Sequence, residues 1–92
     1  MVSYEELEAA KAAKAAINLI LATARKSEVL PTLKPAYRAA VVNFAGKGPL
    51  NEARANVGIA LSILMHSMPT EEKVDKAKSA IDTWIRELER RL

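Results

Sequence analysis

Apolar residues recur along this chain at three- and four-residue intervals, and no stretch alternates apolar with polar over the length of a strand. Four segments carry the helical spacing. Pro31, Pro35, Pro49 and Pro69 cluster near the three breaks between them. The first helix is predicted from about Tyr4 to Arg25 or Lys26, with Ser3 and Glu6 at capping-box spacing. On a wheel of about 100° per residue, Lys11, Lys14, Asn18 and Arg25 share one narrow stripe. Ala9, Ala13, Ala16, Ile17, Ile20 and Ala24 lie opposite, and Leu19 and Leu21 flank the stripe. So thin a polar face predicts a helix covered on more than one side.

The second helix is predicted from Pro31 or Pro35 to about Ala45, with Leu33, Tyr37, Val41 and Phe44 on one face and Lys34 and Arg38 on another. Gly46-Lys47-Gly48-Pro49 ends it. The third runs from Leu50 or Asn51 to Ser67 and is apolar nearly all round after Asn56, the pattern of a central helix. Ala55, Gly58 and Ser62 form a small-residue stripe on it. Gly58 costs about 1 kcal/mol against alanine in a helix, so a close approach is expected there, against the alanine face of the first helix. The fourth runs from Thr70, a plausible N-cap, to about Arg91. Val74, Ala77, Ile81, Trp84, Ile85 and Leu88 make its core stripe, with Glu72/Lys76, Asp82/Arg86 and Glu87/Arg91 as outer i,i+4 pairs. Short breaks between helices predict one all-α domain over residues 1–92, a compact antiparallel four-helix bundle with a central apolar third helix.

Composition narrows the function classes. The chain has 92 residues, half of them apolar, only 4% aromatic, and 17 alanines. With no cysteine, disulfide scaffolds and cysteine-ligated zinc or iron–sulfur centres are excluded. The acidic start Ser3-Tyr4-Glu5-Glu6 is unlike a secretory signal, and the longest apolar run, Val57 to Met65, is too short to span a bilayer. A cytoplasmic protein is expected.

The net charge of +3 is uneven. Residues 1–8 carry −3 and residues 67–92 carry zero. Residues 9–66 carry +6, from eight bases and two acids. Lys11, Lys14, Arg25, Lys26, Lys34 and Arg38 are therefore the candidate basic surface for nucleic acid or an acidic partner. A solvated face is the simpler reading of the same charges. No aromatic residues interleave with these bases, and the third helix is too apolar to read bases in a groove.

Catalytic motifs are sparse. His66, the only histidine, falls in the last turn of the third helix, where the helix dipole favours a cation. No Glu-x-x-His motif or zinc spacing surrounds it. Gly46-Lys47-Gly48-Pro49 lacks phosphate-loop spacing and reads as a turn. Asn43 and Asn56 lie in apolar stretches and are read as buried amides satisfied by a helix–helix hydrogen bond, with a polar pocket as the alternative. Trp84 is read as core packing, with a ligand anchor formed together with Met65 or Met68 as the alternative. No catalytic, cofactor or metal site is expected.

Two segments also carry a resemblance. Glu28-Val29-Leu30-Pro31-Thr32-Leu33 leads into the second helix, and Asn51-Glu52-Ala53-Arg54-Ala55-Asn56 into the third. Together they resemble one unit of a HEAT-type helical repeat, as in small archaeal helical-bundle proteins. Lys47 and Gly48 stand where the repeat's turn usually has aspartate, and no second copy follows. The resemblance implies a protein-binding scaffold. In size and layout alone the chain is also similar to bacteriocin immunity proteins, and its short turns are similar to those of designed bundles. The expectation is a non-catalytic interaction or scaffold module that self-associates or binds a protein, with Leu19, Leu21 and Val42 as candidate interface residues. Nucleic-acid or acidic-surface binding is the alternative.

Overall fold

The computed structural model describes residues 4–22, 28, 30–43, 50–66 and 70–91. Among the described residues there are four helices and no strand: α1 (Tyr4–Ala22), a composite α2, α3 (Asn51–His66) and α4 (Glu71–Arg91). The composite α2 is 3₁₀ over Leu30–Leu33, α-helical over Lys34–Arg38 and π-helical over Ala39–Asn43. Pro35 sits in the first turn of the α segment, where its missing N–H removes no helical bond. The fold is the expected all-α bundle.

The helices form a ring in chain order. α4 packs on both α1 and α3, and α2 packs on both α1 and α3, leaving α1 and α3 diagonal to one another. The molecule measures 39 × 18 × 18 Å, so the helices run along its long axis. Side chains from every helix meet on that axis. Ile17 and Ile20 of α1, Leu33 of α2, Val57, Leu61 and Leu64 of α3, and Ile81, Trp84 and Leu88 of α4 are all fully buried. Buried alanines fill the gaps: Ala10, Ala13 and Ala16 on α1, Ala36, Ala39 and Ala40 on α2, and Ala77 on α4. Small side chains there let the axes approach closely, which so short a chain needs to build a core.

Several details depart from the sequence expectation. The buried face of α2 is Leu33, Ala36, Ala39 and Ala40, while Tyr37 is half-buried and Val41 exposed. The π-helical segment turns by less per residue than an α-helix, which rotates Val41 out of line with Leu33. Gly58 faces α2, and not the diagonal α1. A Cβ at that position would come within 2.5 Å of Val41 Cγ2. The expected Thr70 cap is present, its hydroxyl accepting the Lys73 N–H at 3.3 Å and its carbonyl the Val74 N–H at 3.0 Å. Glu72–Lys76 and Glu87–Arg91 pair at 3.5 and 2.5 Å. Asp82 pairs instead with Lys14 of α1 at 3.2 Å, because the neighbouring helix brings that ammonium closer than Arg86.

Candidate functional site

At one end of the bundle a carboxylate is buried among donors. Glu6, in the first turn of α1, is 0% exposed, and Arg54, in the first turn of α3, is 3% exposed. Arg54 Nε donates to Glu6 Oε2 at 2.8 Å, and Nη2 donates to Oε1 at 2.7 Å. The indole Nε1 of Trp84 donates to Oε2 at 2.7 Å. The fork of the guanidinium matches the two carboxylate oxygens, the strong bidentate geometry for such pairs. The pair crosses the bundle diagonal, and α4 contributes its donor from the side.

This cluster adds to the reading of two residues. Glu6 is more than a helix-capping acid, and Ser3, its expected partner, lies outside the described residues. Arg54 is not part of the positive surface: its charge is cancelled in the interior, so the excess of residues 9–66 that can face solvent falls from +6 to +5. Sequence reasoning missed the pairing because partners 48 and 78 positions apart share no local spacing. The one signal was an arginine on the same helical face as Val57 and Leu61, where an unpaired cation would be expensive. Saturated with donors and shut off from solvent, the cluster holds the fold together and offers no group to a substrate.

The open side of α3 is the other feature. Ile59 is 62% exposed and Ile63 49%, with Val41 beside them at 38%. A shallow cleft of about 520 Å³ runs along one flank of this ridge, between Asn56, Ile59 and Ile63 of α3 and, on the other side, the Thr70 cap with Lys76 and Ala80 of α4. A second, of about 400 Å³, runs along the other flank, between Tyr37 and Val41 of α2 and Ala55, Gly58 and Ser62 of α3. A helix apolar all round reads as buried all round. In a ring of four, however, each helix has two adjacent neighbours, so one side of α3 stays in solvent.

The candidate residues fall as follows. Leu19 is exposed at 58% on the outer face of α1. The side chains of Leu21 and Val42 lie outside the described ones. Lys11, Lys14, Lys34 and Arg38 are exposed, with Lys14 engaged by Asp82, while Arg25 and Lys26 lie outside the described residues. Asn56 is exposed and lines the cleft beside α4, so the buried-amide reading does not hold for it, and the Asn43 side chain is not among those described. His66 is exposed at the end of α3, its Nδ1 3.1 Å from the Ser62 carbonyl oxygen. Trp84 is in the core, as expected.

Among the described residues, no three His, Cys, Asp or Glu side chains stand close enough together to hold a metal ion, and no helix is long and apolar enough to cross a membrane. No protein-family model, curated protein or solved structure matches the chain.

Proposed function

We propose that this protein is a non-catalytic helical interaction module that works by docking a protein on the open side of α3. The observation that carries this reading is the exposed Ile59–Ile63 ridge, continuous with Val41 and flanked by a cleft on either side. Exposed apolar residues scattered singly are ordinary, whereas a contiguous ridge of large aliphatic side chains marks contact surfaces. The resemblance of the α2–α3 hairpin to a HEAT-type unit supports the same reading, since such units serve as protein-binding scaffolds.

The alternative, nucleic-acid or acidic-surface binding, has Lys11, Lys34 and Arg38 to work with among the described residues. Lys14 is engaged by Asp82, so the described members of that set are few for tracking a phosphate backbone. Titration against nucleic acid at two salt concentrations separates the readings, because phosphate-driven binding strengthens as salt falls.

The direct test is photo-cross-linking in cells, with a benzophenone amino acid placed at position 63 and, as control, at the exposed position 89 on α4. Protein adducts that form from position 63, are identified by mass spectrometry, and disappear with Ile59→Glu are the expected result. Equal or absent labelling from the two positions refutes the module.

A further inference from the structure

We infer that Arg54 and Trp84 form a receptor for a short alkyl carboxylate, and that Glu6 is the ligand the chain itself keeps in it. The receptor belongs to α3 and α4, and α1 only fills it. Arg54 shares the inward face of α3 with Val57 and Leu61, so this site is separate from the Ile59–Ile63 ridge.

The donors are held by parts of the fold other than α1. Trp84 is fully buried, and its indole cannot turn elsewhere without opening a close-packed core. Arg54 leaves the first turn of α3 on the same face as two fully buried side chains. The two helices pack directly on one another. Their N–H groups converge on a single carboxylate. Nη2 of Arg54 donates to Oε1, while Nε of Arg54 and Nε1 of Trp84 both donate to Oε2. A planar fork with a third donor at one oxygen selects a carboxylate by shape as well as by charge. A cation only 3% exposed also makes an emptied site costly, so an anion that fits is drawn in.

Glu6 meets this receptor as a tethered ligand. It is the third residue of α1, and its neighbours Tyr4, Glu5 and Glu8 are exposed. Of Tyr4–Glu8 only Glu6 and Leu7 are buried. Terminal turns open at low free energy, and this one is fastened by a side chain reaching onto two other helices. The tether gives the Glu6 carboxylate a high effective concentration, so another carboxylate enters only as the first turn lifts. Glu6→Ala deletes the group CH₂–COO⁻, which as a free molecule is acetate. That variant therefore vacates a space of acetate's shape and leaves every donor in place.

The test uses the intact chain with Glu6→Ala as the emptied receptor. Against sodium chloride of equal ionic strength, about 100 mM acetate is expected to raise its folding equilibrium constant at least about tenfold in urea denaturation, the linkage expected of a ligand held at about 10 mM or tighter. Formate, which lacks the methyl group, and butyrate, two carbons longer, are expected to do less. The parent and Glu6→Ala/Arg54→Met are expected to respond to acetate no more than to chloride, since one receptor is filled and the other dismantled. NMR reads the site directly, because the chain has one indole N–H to follow. That resonance should move downfield in Glu6→Ala as acetate is added, and stay still in the parent. Where Glu6→Ala is unfolded in buffer, the same titrations are run in trimethylamine N-oxide, which restores the compact state by exclusion from the protein surface. Equal responses of Glu6→Ala to acetate and chloride overturn the receptor. So does an acetate response as large in the parent or in the Arg54→Met background, or an indole resonance that acetate leaves unmoved in Glu6→Ala.

Discussion

Replacing Glu6 with glutamine isolates the buried cluster with the smallest change of shape. Among the described residues the carboxylate accepts two donations from Arg54 and one from Trp84. The amide keeps one acceptor oxygen and turns an NH₂ toward a donor, so at least one of the three bonds is replaced by donor facing donor. The guanidinium also loses its counter-ion while only 3% exposed. Removing one partner of a buried ion pair costs about 3–5 kcal/mol, most of it from the stranded charge. At about 0.05–0.15 kcal/mol per residue the whole fold is worth about 5–14 kcal/mol, so the substitution removes about a fifth of the stability or more. Urea unfolding followed by far-UV circular dichroism measures it. With a slope near about 1 kcal/mol per molar urea, the midpoint should drop by about 3 M or more, or the variant should be partly unfolded without urea. Glu6→Leu combined with Arg54→Met removes both charges, and most of the loss should return. It should not all return, because the Trp84 N–H then lacks its acceptor at a cost of about 1–3 kcal/mol. A Glu6→Gln variant within about 1 kcal/mol of the parent, at unchanged slope, refutes the account.

Two further predictions follow from contacts elsewhere. Gly58→Ala should destabilise by about 1–2 kcal/mol despite alanine's better helix propensity, because the new Cβ meets a methyl of Val41, whose branched side chain has little rotamer freedom in a helix. In a Val41→Ala background the same change should stabilise by up to about 1 kcal/mol; denaturation of the four variants closes the cycle, and additivity would contradict the contact. The Glu87 carboxyl is held below its ordinary value of 4.5, chiefly by the hydrogen bond from Arg91 and then by the charges of Arg90 and Arg91 against some desolvation. A lowered folded value contributes stability that is present above the unfolded value and lost as pH falls through the folded one, so this contribution fades only below the ordinary carboxylate range. An NMR titration should show the Glu87 midpoint rising toward 4.5 in Arg91→Gln, and an unmoved midpoint would contradict the assignment.

The elements were legible because their signals are local. Helical spacing, the prolines at the breaks and the Thr70 cap each act within a turn or two, and the core stripe of α4 follows from periodicity alone. Relations between helices were not legible. Gly58 announces a close approach, but only the ring order decides whether α1 or α2 makes it. Asp82 has one lysine in reach across a helix pair and one arginine a turn away, and packing chooses between them. The open face was hidden for a similar reason. Ile59 and Leu61 look alike in sequence, and their opposite fates are set by which side of α3 a neighbour occupies.

Trp84 is the only tryptophan in the chain, and its indole nitrogen rests on the Glu6 carboxylate. The protein therefore carries an intrinsic optical reporter wired to one contact. Ultraviolet-excited emission from this molecule reads whether the first turn of α1 is seated, while its circular dichroism reads the sum of all four helices. If α1 detaches before the rest unravels, the emission maximum shifts red while ellipticity holds, and the two denaturation curves separate. If the bundle unfolds as one unit, they superimpose. A fluorimeter can thus follow, without any label, the docking of a helix whose own sequence contains no fluorophore but a single tyrosine.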